Sequence, residues 1–393
     1  MFNFVGQIQS SKSIFNRALV VQSYFPELNI IGHSLSADVV HLDHSLKNIQ
    51  SEYPMNVGMG GTTFRFLSLR ASRINKESQI QVHPRLLERP QEDLWNLFDQ
   101  LGINYKLNHN QIILVGQNWD LKNKIIQINC EKSTQFASAF LLNCWLLPTD
   151  VQIQLSHVGN SRDYLEMTIQ FLIDLGMRIE INRNSKNYEL RIPAYQKIDK
   201  YQYVVEPDMS SVATLAIAGV INGAISIEQF PGKSLQPDFQ FLNYFKLMNI
   251  HYEISHQEFK IQRQDEYEGV ILDLQQTPDL FPCLAILAAF AKSPSQLRGV
   301  PQLIHKESNR LLKTVELLNY IGCEVEVYDD GIQITKPVEK IYFKNYIFNP
   351  DHDHRMAMAA GLLKLKKFPI QIKDVEVIQK SFVDYFEIIG VTP

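Results

Sequence analysis

The chain has 393 residues, 45% apolar and 20% charged, with a formal net charge of -4, long enough for two domains with substantial cores. The slight negative balance excludes long-range attraction to nucleic acid or an anionic membrane, so any anion site has to be local. Cys130, Cys144, Cys283 and Cys323 show neither C-x-x-C nor metal-ligand spacing, the N-terminus lacks a signal pattern and no apolar run reaches the ~18 residues of a membrane span; the expectation is a cytoplasmic protein with buried thiols.

The first predicted helix begins in "SKSIFNRAL", which places Lys12, Ser13, Asn16 and Arg17 in its first turns. Cations at a helix N-terminus oppose the dipole, and an anion would relieve the conflict; otherwise Ser11 or Ser13 is an N-cap and the cations are solvated. In "GMGGTTFRF" a Gly-rich turn at Gly60 and Gly61 leads into a helix with Arg65 in its first turn, a possible phosphate or carboxylate cradle. Arg89 precedes Pro90 at the next helix entry. "EKSTQF" brings Ser133, Thr134 and Gln135, and "SRDYLEM" brings Ser161, Arg162 and Tyr164, to further helix starts, as caps or as ligands of a polyol or phosphate. Asp279 in "QTPDLFPCL" reads as an N-cap or, among cations, as a base for a hydroxyl proton. "HKESNR" supplies Lys306, Glu307 and Arg310, and "DHDHRMAM" supplies Asp353, His354 and Arg355. Singly, each reads as a cap or solvated charge. Repeated at six helix starts after the first, they would make one anion-attracting face if the helices run parallel.

A repeat underlies these starts. "DLWNLFDQLGINYKL", "YLEMTIQFLIDLGMRIEI", "FQFLNYFKLMNIHYEI" and "LLKTVELLNYIGCEVEV" each read as helix, stop and strand, with stops at Gly102, Gly176, Asn249 and Gly322 spaced 74, 73 and 73 apart and a further copy ending at Gly390. Between them lie helices apolar almost all round, "TQFASAFLLNCWLL", "SSVATLAIAGVI", "DLFPCLAILAAFA" and "HRMAMAAGLL", which must be buried on every face. The outline is a mixed α/β protein with sheets outside helical cores, in two lobes of about three units each.

The motifs "SKSIFNRAL", "GGTTFRFL", "PRLLERP", "STQFASAFLL", "SRDYLEMT", "EPDMSSVATLA", "TPDLFPCLAILAAFA", "HKESNRL", "DHRMAMA" and "KSFVDYF" run the length of the chain, and in this order the sequence resembles the 5-enolpyruvylshikimate-3-phosphate synthase family of enolpyruvyl transferases. The resemblance implies two lobes, each an inside-out α/β barrel of three βαβαββ units, with residues 11–207 in the N-terminal lobe, 1–10 and 208–393 in the C-terminal lobe, and crossovers near 10–12 and 205–208. It implies a monomer without cofactor or metal that moves the enolpyruvyl group of phosphoenolpyruvate to the 5-hydroxyl of shikimate 3-phosphate through a tetrahedral ketal. By resemblance, shikimate 3-phosphate is held by Lys12, Ser13, Arg17, Ser133, Thr134, Gln135, Ser161, Tyr164, Asp279 and Lys306. Phosphoenolpyruvate lies against Lys12, Gly61, Arg89, Gln135, Arg310, Arg355 and Lys380. Asp279 is the base, and Glu307 with Lys12 or Lys380 handles the methylene protons. Glyphosate, longer than phosphoenolpyruvate, occupies the latter's site in this family, and a glycine at position 61 leaves it room.

Three departures stand out. The family's G-N-A-G-T turn is "GMGGT" here, with Met59 in place of Asn. Asn309 replaces an Asp, which is expected to remove a carboxylate that orients neighbouring arginines. The segment after Ala37 is short by a hairpin, so the first unit is expected to be pared down. Two alternatives are a UDP-N-acetylglucosamine enolpyruvyl transferase, whose cysteine loop before the arginine at position 89 has no counterpart because no cysteine precedes Cys130, and a non-catalytic phospho-ligand binder, against which Lys12, Asp279, Glu307, Arg355 and Lys380 speak.

Overall fold

The computed structural model describes residues 1–115, 118–122, 124–338 and 344–393. The chain divides into two compact units, Met1–Ser10 with Glu206–Pro393, and Ser11–Val205.

In the first unit the helices Met209–Asn222, Phe281–Ala288 and His354–Leu365 pack on one another and are buried along nearly their whole length. Their Ala, Gly, Ser and Thr content lets the axes approach, and their lack of a polar stripe leaves no face for water. Three sheets lie around them. One is ordered Phe2–Gly6, Gly223–Ile227, Glu258–Gln262, Glu253–Ser255, the second Ile271–Asp273, Ser295–Arg298, Gly331–Lys336, Glu324–Tyr328, and the third pairs Tyr346–Phe348 with Ile370–Ile372. In each four-stranded sheet the first pair is parallel and the rest antiparallel, the product of a β-α-β-α-β-β run, interrupted in the first sheet by the whole second unit between Phe2–Gly6 and Met209–Asn222.

The second unit repeats the plan. Helices Lys12–Gln22, Gly61–Ala71 and Gln135–Leu142 form the core triad. Its sheets are Met55–Asn56, Glu77–Gln81, Gln111–Val115, Asn104–Asn108, then Ile125–Asn129, Val151–Ser156, Asn187–Ile192, Glu180–Asn184, and the parallel pair Asn29–Ile31 with Gln202–Val204. The first repeat is pared down as expected. The sequence reading missed that the last repeat is too: Tyr346–Phe348 and Ile370–Ile372 form a two-stranded sheet like the opening one. All five stop residues have positive φ, 69° at Gly102, 101° at Gly176, 56° at Asn249, 87° at Gly322 and 66° at Gly390, the left-handed turn that ends a helix and, at the first four, leads into a strand.

The carboxyl ends of the second unit's triad are closed by two arginines. Arg70 donates to the Ser23 hydroxyl and carbonyl at 2.7 and 3.0 Å, and Arg73 donates to the carbonyls of Asn143 and Trp145 at 2.7 and 2.5 Å. Both guanidinium groups lie over the Tyr24 ring. Among the described residues no helix is long and apolar enough to cross a membrane. All four cysteines are free and buried, and burial pushes the thiols of Cys130, Cys144 and Cys323 up to about 12 and that of Cys283 to about 11. Since the thiolate is the reactive species, a disulfide reagent at pH 8 should leave all four unmodified for minutes in the native protein and titrate all four in denaturant; a fast-reacting native thiol would contradict this packing.

Candidate active site

In the second unit, polar side chains gather where the three core helices begin. Ser11, not Ser13, is the N-cap of Lys12–Gln22, accepting from the Ile14 N–H at 3.4 Å, and no acid stands in that first turn. Lys12 instead reaches Asp38 of the helix Ala37–Lys47 at 3.1 Å. Arg65 joins the second and third helix starts: its guanidinium donates to Gln135 and, at 3.2 Å each, to Gln91 and the Pro90 carbonyl, and it lies over the Phe136 ring. Arg89 faces Gly61, where a β-carbon would come within 3.4 and 3.6 Å of its Nη1 and Nη2. Ser133 accepts from the Gln135 N–H at 3.2 Å. Ser161 adopts the left-handed conformation, φ 57°, at the start of Arg162–Asp174, and its hydroxyl makes no cap bond. A left-handed non-glycine residue costs about 1 kcal/mol or more and is concentrated at functional sites.

Two residues from the sequence reading face the protein here. Arg17 is buried, with Nε on the Thr168 hydroxyl at 2.8 Å, Nη1 on the Ser13 carbonyl at 2.7 Å and Nη2 on the Tyr164 carbonyl at 3.1 Å. Burial lowers its pKa to about 10, against the opposing influence of Tyr164 and Tyr203. Thr134 is buried too, its hydroxyl donating to the Ser161 carbonyl at 2.9 Å. Each thus ties down the backbone of other residues in the cluster: Ser13, Tyr164 and Ser161.

The first unit has a cluster of ionic side chains of its own. Asp279 sits in the turn Pro278–Leu280 ahead of Phe281–Ala288 and caps neither element. Its carboxylate accepts from Arg310 at 2.8 Å and Lys306 at 3.4 Å and lies 3.5 Å from Arg355. Partial burial would raise its pKa, but Lys306, Arg310 and Arg355 overcome that and hold it well below the usual carboxylate range. Arg310, the first residue of the helix Arg310–Tyr320, also donates to Glu307 at 2.9 Å and to Asp353 at 2.7 and 3.2 Å. Glu307 in turn receives Lys380. Burial works to lower the arginine values, yet the carboxylates keep Arg310 and Arg355 above their ordinary value. Asp353 caps His354–Leu365 by accepting from the Arg355 N–H at 2.9 Å. Arg355 donates Nη2 to the Ser210 hydroxyl at 2.8 Å, while its buried Nε and Nη1 meet no partner among the described residues.

One expected loss is corrected. Asn309 does not leave Arg310 disoriented: it caps the helix through the Leu312 N–H at 3.1 Å, and Arg310 is already held by Asp279, Glu307 and Asp353. Sequence reasoning passed over Asp38 and over Gln302, whose amide atoms are buried without a partner among the described residues; Arg65 was noted near the start of its buried helix but assigned to no ligand.

Among solved structures, an EPSP synthase from Acinetobacter baumannii shares the fold with a TM-score of 0.76, 19% identity and coverage of 99% of this chain and 95% of that one. The enolpyruvyl transferase NikO from Streptomyces tendae does so with a TM-score of 0.71 and 14% identity over 99% and 94%. The fold is thus that of the enolpyruvyl transferases. A 3-phosphoshikimate 1-carboxyvinyltransferase from Nostoc punctiforme is 28% identical over 97% of this chain and 94% of its own. The family model of EPSP synthase (3-phosphoshikimate 1-carboxyvinyltransferase) matches residues 8–389, and the chain belongs to that family.

Proposed function

We propose that the chain transfers the enolpyruvyl group of phosphoenolpyruvate to the 5-hydroxyl of shikimate 3-phosphate, releasing phosphate. It works as a cytoplasmic monomer on these two small molecules, a setting that its four buried free thiols suit. The observation that carries the reading is Asp279, a partly buried carboxylate set among Lys306, Arg310 and Arg355. Both substrates are anions with several charges, which accounts for so many cations, and arginine forks suit a planar carboxylate and a phosphate. Shikimate 3-phosphate is assigned to Lys12, Ser13, Ser133, Gln135, Ser161, Tyr164, Asp279 and Lys306, with Arg17 and Thr134 acting through the backbone they hold. Phosphoenolpyruvate is assigned to Lys12, Gly61, Arg89, Gln135, Arg310, Arg355 and Lys380.

Asp279 takes the 5-hydroxyl proton as that oxygen bonds to C2 of phosphoenolpyruvate and the methylene carbon gains a proton. Loss of that methyl proton then expels phosphate. A carboxylate held this acidic is a weak base; substrate anions arriving at the same cations offset their pull and return Asp279 toward ordinary basicity. Glu307, bonded to Lys380 and Arg310, handles the methylene proton with Lys12 or Lys380. A phosphate-release assay should need both substrates together. Release with UDP-N-acetylglucosamine in place of shikimate 3-phosphate, or no release at all, would defeat the assignment.

Gly61→Ala should fold normally, because the added methyl would lie 3.4 to 3.7 Å from Arg89 and Arg65, ordinary contact distances. It would stand over the Arg89 guanidinium, in the room glyphosate needs. Glyphosate inhibition should be competitive with phosphoenolpyruvate and weaken about tenfold or more relative to the change in KM, the scale of one misplaced methyl group. Glyphosate insensitivity of the unaltered protein, reversed by Met59→Asn, would show that Met59 sets the pocket instead.

A further inference from the structure

We propose that Ser210 is the positioning residue for Arg355, its hydroxyl fixing the plane in which the guanidinium meets phosphoenolpyruvate. The inference rests on the assignment of Arg355 to that substrate. Arg355 lies in the first turn of His354–Leu365 and is 3% exposed. Its Nη2 donates to the Ser210 hydroxyl at 2.8 Å, while Asp279 Oδ2 stands 3.5 Å away, beyond the usual hydrogen-bond limit of about 3.2 Å. Nε and Nη1 are buried and meet no partner among the described residues. An ion pair at the longer distance attracts without orienting, so the bond to Ser210 sets how the planar fork is turned.

Ser210 is itself held. A serine hydroxyl has one proton to give, and Ser210 gives it to Asp208 Oδ1, which leaves its lone pairs for Arg355. Asp208 caps Met209–Asn222 by accepting from the Ser211 N–H at 2.9 Å, and it also accepts from the Ser211 hydroxyl at 3.1 Å. Buried Gln236 clamps the same helix start: its Oε1 accepts from the Met209 N–H at 3.0 Å, and its Nε2 donates to the Pro207 carbonyl at 2.8 Å and to Glu206 at 2.7 Å. The path from Asp208 through Ser210 to Arg355 thus joins the starts of two core helices, across 145 positions of chain. Two adjacent serines share one carboxylate, and among the described residues only Ser210 is bonded to the arginine as well.

The test compares these two serines in the full chain. Ser210→Ala should fold, because alanine fits the space and favours a helix. It should lower kcat/KM for phosphoenolpyruvate by about ten- to a hundredfold, the effect of a binding group displaced by about an ångström. Shikimate 3-phosphate binding by calorimetry should stay within a few-fold, since that ligand is assigned to other side chains. Ser211→Ala removes a hydrogen bond to the same carboxylate, so it should lower the melting temperature and leave the phosphoenolpyruvate kinetics unchanged. In an Arg355→Lys background, where the ammonium has no plane to set, Ser210→Ala should cost little more. Unchanged phosphoenolpyruvate kinetics in Ser210→Ala, the same kinetic loss in Ser211→Ala, an equal weakening of both substrates, or an undiminished effect in the lysine background would each overturn the proposal. Full activity in Arg355→Ala would instead overturn the assignment of Arg355.

Discussion

Asp279→Asn should retain shikimate 3-phosphate binding within a few-fold and lose turnover by about 10²-fold or more, the usual range for a missing general base. The amide keeps the shape and one acceptor oxygen for Arg310, which now lies 2.8 Å from Asp279 Oδ1, but it cannot take the hydroxyl proton. Calorimetric binding beside steady-state turnover separates the two. If the folded fraction of the variant turned over at the normal rate, Asp279 would be a structural partner of Lys306, Arg310 and Arg355 and nothing more.

Arg310→Ala should be the most destabilising single change in the first unit. Arg310 is 1% exposed and joins Asp279, Glu307 and Asp353, so its removal takes a shared cation from all three and leaves Lys306 and Arg355 on Asp279 and Lys380 on Glu307 to hold the cluster. Breaking a buried pair costs about 3–5 kcal/mol, which lowers the melting temperature by about 6–20 °C in a unit of this size. The sign of the pH dependence follows. In the unaltered protein Asp279 is depressed below its unfolded value, so its stabilising contribution is complete above roughly pH 5 and is lost as pH falls through the folded pKa. Without Arg310, Asp279 keeps Lys306 and Arg355 but is held down less, so less stability is lost on acidification. The deficit against the unaltered protein should therefore be constant above roughly pH 5 and shrink as pH falls below it. A melting temperature within about 2 °C of the unaltered protein, on the same scale, would refute the ion cluster as described.

The features legible in the sequence were those written locally. A glycine or asparagine after a helical pattern ends it in the left-handed region wherever it stands, and helices such as Met209–Asn222 have no polar face to show to water. The clustering of Lys306, Glu307, Arg310 and Arg355 with Asp279 was legible too, because each sits at a helix entry. What stayed hidden depends on partners far along the chain. Asp38 looks like any first-turn acid until Lys12, 26 positions away, is brought to it. Arg17 looks like a phosphate ligand until Thr168, 151 positions on, takes its Nε. Asn309 is a cap in the fold and a lost charge in the alignment of motifs. The short last repeat escaped notice because its helix ends at Gly390 like a complete one.

Arg70 and Arg73, which close the carboxyl ends of the second unit's core helices, give that unit a fixed polarity. Peptide dipoles aligned in three parallel helices leave partial positive charge at the end with Lys12, Gly61 and Gln135 and partial negative charge at the other. The arginines cancel the negative pole with carbonyl hydrogen bonds, while the positive pole is left to act on whatever anion reaches it. An eleven-residue helix such as Gly61–Ala71 separates the poles by roughly 16 Å. The groups that close the carboxyl ends thus share no helix turn with those that gather at the amino ends, so a charge can be exchanged at the closed end with every side chain of the open end left in place.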